Sequence, residues 1–105
     1  MIDRVPPQNI EAEQAVLGAM LLEREAIAKG MEKLRSEDFY REAHKVIFNA
    51  MLELYNRNEA VDLVTVTEVL KKNGKLEDVG GIAYVTSLAN SVPTAANVVY
   101  HAGIV

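Results

Sequence analysis

The chain has 105 residues, half of them hydrophobic and a quarter charged, the balance of one globular domain around a single core and unlike that of a disordered tail. Its 11 Lys and Arg against 15 Asp and Glu leave a formal charge of -4, a field that repels phosphate and argues against a nucleic-acid-binding surface. With no cysteine and only two histidines, a disulfide framework and a thiolate metal site are excluded and a reducing cytoplasm fits.

Residues 1–8 contain Pro6-Pro7, which removes two amide donors and favours an extended arm without a signal-peptide core. Asn9 is placed to cap a first helix over Ile10 to Leu22. Ile10, Leu17 and Leu21 share one face of it, and Ala12, Ala15, Gly18 and Ala19 form a second face of small residues. A helix apolar on two sides belongs at the centre of a bundle. Glu13 falls at the edge of the larger apolar arc, whereas Glu11 points away from it and is the more exposed of the two. The longest unbroken apolar run, Ala19 to Leu22, is far too short to span a membrane.

Glu23 to Leu34 is helical in composition, and Gly30 is expected to end that second helix. Ser36-Glu37-Asp38 then supplies a hydroxyl and two acids ahead of Phe39, a start signal for a long third helix. Tyr40, Ala43, Val46, Ile47, Ala50, Met51 and Leu54 recur at three- and four-residue spacing until the polar stop Asn56-Arg57-Asn58. Val61 to Val66 alternates like a strand, but Thr65-x-x-Glu68 reads as a capping box for a fourth helix ending at Asn73-Gly74. Gly80-Gly81 forms a joint before a fifth helix with a buried stripe of Ile82, Val85, Leu88, Ala89 and Val92 and Tyr84 at its margin. Pro93 ends it, and Thr94 caps a sixth that stops at Val105 without a terminating signal. The fold class is therefore all-α, a compact bundle of five to six short helices whose last helix is cut at the C-terminus.

None of the chemical motifs converges on a reaction centre. Gly74-Lys75 lacks the glycine five positions earlier and the Ser or Thr that a phosphate-binding loop requires, those places holding Val69 and Leu76. It reads as a helix C-cap followed by a solvated lysine. Glu11 and Glu13 diverge on a helix and have a dipole explanation, with no nucleophile or base beside them. His44 and His101 do not form the i,i+4 pair of a helical metal site, and His44 is read as a packing or surface residue on the flank of the third helix. Phe39, Tyr40, Phe48 and Tyr55 are expected to be core anchors, since no basic residues interleave with them to make a stacking groove. Catalytic, cofactor-binding and metal-binding residues are therefore expected to be none.

Several ordered segments together carry a family resemblance: Pro6-Pro7-Gln8-Asn9-Ile10-Glu11-Ala12-Glu13-Gln14-Ala15-Val16-Leu17-Gly18, then Asp38-Phe39-Tyr40 with His44 and Ile47-Phe48. They continue with Val61-Asp62-Leu63-Val64-Thr65-Val66-Thr67, Gly80-Gly81 with Tyr84, and Val92-Pro93-Thr94-Ala95-Ala96-Asn97. The chain so composed resembles the N-terminal domain of bacterial DnaB-type hexameric replicative helicases over almost its whole length, Glu23 to Arg35 matching loosely. The resemblance implies an arm over residues 1–8, a helical head over 9–93 and the start of a helical hairpin over 94–105. It places the RecA-like motor, with its ATP and Mg, outside this chain, which then needs no cofactor of its own. It also implies self-association in a hexameric ring and docking of the helicase-binding domain of primase, with Glu11 and Tyr84 matching positions of that contact. A helicase loader is a further implied partner, little direct DNA binding and no membrane contact are expected, and a purely structural collar is the competing role.

The charge balance generates the first prediction. Single-stranded DNA should show no tight complex with this chain in fluorescence anisotropy at moderate salt, because a net acidic surface releases few counterions. Submicromolar affinity with a steep salt slope would reveal a basic patch that the linear sequence hides.

Overall fold

The computed structural model describes residues 9–90 of the chain; the expected arm over 1–8 and the expected hairpin start over 94–105 lie outside them. The described residues form five α-helices and two short 3-10 turns, with no strand among them. In chain order these are α1 (Ile10–Leu22), α2 (Arg24–Lys33), a turn at Ser36–Asp38, α3 (Glu42–Asn56), α4 (Leu63–Lys72), a turn at Glu77–Val79 and α5 (Gly81–Asn90). Val61 to Val66 is accordingly the entry to a helix and not a strand.

The first helix is the hub, as its two apolar sides require. Ala12, Ala15, Val16, Leu17, Gly18, Ala19, Met20 and Leu21 are all buried, and α1 packs against α2, α3 and α5. Its small residues let neighbouring helices approach closely, while Leu17 and Met20 fill the space between them. Around it the core is completed by Ile47, Phe48, Met51 and Leu54 of α3, Val66, Val69 and Leu70 of α4, and Val85 and Leu88 of α5. Asn9 occupies the N-cap position, but only its carbonyl is used, accepting from the Glu13 amide at 3.0 Å; its side chain makes no capping bond.

The second helix corrects one expectation. Gly30 does not end α2, which continues to Lys33. Gly30 is instead a buried packing position, where an added Cβ would lie 2.7 Å from Met20 Sδ and 2.8 Å from Met20 Cε. The side-chain hydrogen, not backbone freedom, is what the site uses. Loss of helix propensity, about 1 kcal/mol for glycine against alanine, is offset by that close approach of two helices.

The third helix begins later than the periodicity suggests. Ser36–Asp38 is a 3-10 turn closed by Asp38 Oδ2, which accepts from the Arg35 amide at 2.9 Å. Phe39 follows in extended conformation and is buried against Phe48, ring centroids 5.2 Å apart. Tyr40 and Arg41 are outside the helix, which starts at Glu42. Of the aromatics expected to anchor the core, Phe39 and Phe48 do so, but Tyr40 is 64% and Tyr55 42% exposed. Tyr40 precedes the first helical turn and Tyr55 lies at the end of the last.

Helix α4 opens three residues before the expected box. Asp62 Oδ1 accepts from the Thr65 amide and Thr65 Oγ1 from the Asp62 amide, both at 2.9 Å, so Thr65 closes the reciprocal box instead of opening it. The ends of α3 and α4 share one device. Glu59 N–H donates to Leu54 O and Asn58 N–H to Tyr55 O; Lys75 N–H donates to Leu70 O and Gly74 N–H to Lys71 O. Asn58 and Gly74 take the left-handed position with φ of 61° and 71°, which identifies both ends as Schellman caps. Gly74-Lys75 is therefore a helix stop, as the missing motif residues indicated, and Asn73 Nδ2 reaches back to Glu53 Oε1 at 3.4 Å. In α5, Val85 and Leu88 are buried, but Ile82 is 58% exposed and not part of the stripe; Val92 and Pro93 lie outside the described residues.

The Gly30–Met20 contact predicts a change of sign. Gly30→Ala alone should lower stability by about 1 kcal/mol, since overpacking of about 1–3 kcal/mol outweighs the propensity gain. In a Met20→Ala background, where the obstruction is gone, the same substitution should stabilise by up to about 1 kcal/mol, measured by urea denaturation.

Candidate functional site at the junction of three helices

The most organised polar cluster of the described residues joins α1, α3 and α5. Its centre is His44, read from the sequence as a flank residue and in fact fully buried on α3. Glu13 of α1, 3% exposed, is its partner: Oε1 lies 2.7 Å from His44 Nδ1. Position 13 lies at the edge of α1's apolar arc, where His44 meets it from the first turn of α3.

Glu13 is satisfied by three donors. The Tyr40 amide donates to Oε2 at 2.7 Å, the Arg41 amide donates to Oε1 at 3.4 Å, and the imidazole supplies the third. The same carboxylate lies in the first turn of α1 and before the first turn of α3, two helix starts whose positive ends favour it. A buried carboxylate tolerates its surroundings only with such partners. The late start of α3 follows, because Tyr40 and Arg41 stay outside the helix to present their amides.

Beyond the imidazole the network reaches α5. His44 Nε2 lies 2.6 Å from the Tyr84 hydroxyl, and the two rings are within 11° of parallel with centroids 5.9 Å apart. Gln14 Nε2 donates to the same hydroxyl at 3.2 Å and Arg41 Nη1 at 3.3 Å. A carboxylate only accepts, so the Nδ1 proton faces Glu13, and neutral Nε2 accepts the Tyr84 proton. The two lone pairs of the Tyr84 oxygen then take Gln14 and Arg41. The Tyr84 oxygen is thereby fully used.

Burial pushes the His44 imidazole below its usual value of 6.5, with Arg41 adding to the depression and the Glu13 hydrogen bond and charge opposing it. The neutral form is favoured, in agreement with the hydrogen-bond inventory. Gly80, with φ of 111°, lies under Tyr84: a Cβ there would sit 2.9 Å from Tyr84 Cβ. Gly80 and Gly81 both need positive φ, so the expected flexible joint is a pair of fixed left-handed turns that seat Tyr84.

Of the two residues proposed from sequence for partner contact, Glu11 is exposed on α1 and Tyr84 is half-buried. Glu11 lies one turn before Gln14, which bonds Tyr84, so both residues border one face. Sequence reasoning missed Glu13, Gln14, Arg41 and His44 as one cluster. The available signal was an acid on an apolar arc, a buried charge that demands a partner. Nothing linear identified His44, 31 positions away. Tyr84 Oη is shared among three side chains.

Comparison with known proteins places the chain. A family model described as the DnaB-like helicase N-terminal domain matches residues 5–105. The replicative DNA helicase DnaC of Bacillus subtilis (strain 168) is 60% identical over 103 residues, covering 98% of this chain and 23% of that protein. The replicative DNA helicase DnaB of Geobacillus stearothermophilus is 56% identical over 98% of this chain and 23% of its own length. The crystal structure of the N-terminal domain of DnaB helicase from Mycobacterium tuberculosis superposes with a TM-score of 0.89 at 50% identity, covering 94% of this chain and 69% of that one. This chain thus spans less than a quarter of the curated relatives it matches, and the part matched is their N-terminal domain.

The buried imidazole predicts an acid-sensitive fold. The unfolded chain takes up a proton near 6.5 while the folded state resists it, so this part of the stability is complete above 6.5 and is lost as pH falls below it toward the folded value. Chemical denaturation between pH 7.5 and 5.5 should show that decline, and His44→Asn, which keeps a donor toward Glu13 but does not titrate, should flatten it. Tyr84→Phe, which strands His44 Nε2, should cost about 1–3 kcal/mol at pH 7.5.

Proposed function

The chain belongs to the family of DnaB-like helicase N-terminal domains, and from that premise we propose that it is the non-catalytic head of a replicative DNA helicase, serving ring assembly and docking the helicase-binding domain of primase. The observation that carries the reading is the match of nearly the whole chain to helicase N-terminal domains, in sequence and in fold. Unwinding of duplex DNA at the replication fork, with ATP and Mg, belongs in this reading to a motor that the matched region does not include. The role left for the head is contact, in the cytoplasm, with other copies, with primase and with a helicase loader. Among the described residues no helix is long and apolar enough to cross a membrane.

The docking face we assign contains Glu11 and Tyr84. Support comes from their placement: one carboxylate in solvent on α1, and one half-buried tyrosine on α5 whose hydroxyl meets the exposed Arg41. Tyrosine and arginine are the residue types that anchor interfaces, and a rim carboxylate steers approach. A second reading, a collar without primase contact, is favoured by a different observation: the Tyr84 hydroxyl is already fully engaged inside the domain.

A binding titration with purified cognate primase domain separates the two. Glu11→Ala should weaken binding by a small factor that fades as salt rises, through the association rate. Truncation of an interfacial tyrosine typically costs about 1–3 kcal/mol, so Tyr84→Ala should lose about 5- to 150-fold, mostly through faster dissociation, in preparations whose melting confirms a folded domain. If the folded variants bind as tightly as the parent, primase docks on another face of the domain; if the parent itself binds no primase, the collar reading replaces the docking one.

A further inference from the structure

The Tyr84 oxygen stands at a point where the hydrogen-bond inventory closes with nothing to spare. It gives its proton to His44 Nε2 and receives one each from Gln14 and Arg41, at 2.6, 3.2 and 3.3 Å. A phenol oxygen has one proton to give and two lone pairs to offer. Placing a proton on Nε2 turns that nitrogen from acceptor to donor. Three donors would then converge on two lone pairs, and the phenol proton would have no acceptor on the imidazole.

One donor must leave. Gln14 is on α1, the helix at the centre of the bundle, and is partly covered, whereas Arg41 is exposed and stands before the first turn of α3. Arg41 also carries a charge of the same sign as the imidazolium that would form. Other charged groups near His44 do not relieve the conflict. From α1 comes Glu13, already holding three donors; from α5 comes Tyr84 itself; on α3, Glu42 and Lys45 stand 3.9 Å from each other at the surface. The guanidinium is the group released.

We propose that Glu13 and His44 are positioning residues for the docking face: while the imidazole is neutral they fix the Tyr84 hydroxyl, which in turn holds the Arg41 guanidinium beside the Tyr84 ring in the arrangement a protein partner meets. Glu13 fixes which imidazole nitrogen carries the proton, and His44 thereby fixes the direction of the Tyr84 hydroxyl. A partner meeting Tyr84 and Arg41 already ordered loses less side-chain freedom on binding. Proton uptake by His44 undoes the arrangement, so binding and His44 protonation oppose one another through reciprocal linkage. This inference rests on the docking role given above for the face that contains Tyr84.

The test is affinity against pH, with a fluorescently labelled helicase-binding domain of cognate primase and the 105-residue chain at constant ionic strength. For the parent, affinity should fall about fivefold or more from pH 7.5 to 6.0, an ordinary size for coupling between two sites. His44→Asn should remove that dependence. Arg41→Ala, a substitution at an exposed position that leaves the core intact, should be equally flat and should sit at the parent's low-pH level across the range. The primase and every other residue of the chain are common to the profiles, so the difference between them isolates the substituted position. A parent that binds but shares its pH profile with both variants overturns the proposal and leaves the docking reading standing. A parent that binds no primase at any pH overturns both. Nitrogen chemical shifts of the His44 ring give a check that needs no partner: the proton should reside on Nδ1 at pH 7.5, and a proton found on Nε2 instead overturns the proposal.

Discussion

A carboxylate enclosed by protein is the constraint from which much of this domain follows. Glu13 lies on the hub helix with almost no solvent contact, and its charge is tolerated because backbone amides and an imidazole converge on it from the start of α3. That demand keeps Tyr40 and Arg41 out of the helix, sets where α3 begins, and brings His44 to α1. It also selects the imidazole tautomer, and the tautomer settles what Tyr84 on α5 donates to and accepts from. One side chain therefore links the local conformation of a loop, the placement of three helices and the character of a surface.

Apolar packing supplies most of the driving force for the bundle, but alone it leaves the arrangement underdetermined. The residues around α1 are largely alanine, valine, leucine and methionine, which repack with modest loss when volume is conserved. The polar junction is less forgiving, because each of its bonds requires a particular helix to be at a particular place. The two terms act on different quantities: burial stabilises the compact state, and the Glu13–His44–Tyr84 chain favours one registration of α1, α3 and α5 over neighbouring ones.

Much of this was legible in the sequence, and the divide is physical. Periodicity identified α1 with the bounds that the structure has, and the apolar stripe of α3 from Ala43 to Leu54 was correct because three- and four-residue spacing is a local property. Signals that depend on a partner far along the chain were not legible. Gly30 looks like a helix end until Met20 is known to lie against it. Ser36-Glu37-Asp38 looks like a helix start until Glu13 is known to take the amides of residues 40 and 41. Thr65 is capable of opening a capping box or of closing one, and the Asp62 side chain decides which. The junction itself joins residues at positions 13, 14, 41, 44 and 84, each unremarkable among its sequence neighbours. Tyr84 and Glu11 came from family resemblance, and the structure adds what surrounds them.

The end of α4 bears on how the molecule ages. An Asn-Gly pair ordinarily loses ammonia as the glycine amide nitrogen attacks the asparagine side-chain carbonyl, and water then opens the resulting cyclic imide to aspartate or isoaspartate. Here the Gly74 amide is committed to Lys71 O, the Asn73 side chain is drawn toward Glu53, and the intervening backbone is fixed by the helix stop. The nucleophile and the carbonyl are held apart from reactive alignment for as long as α4 keeps its cap. Chemical wear at this dipeptide is thereby tied to the opening of that helix end, and accumulated aspartate and isoaspartate at position 73 would serve as a record of time spent with it undone.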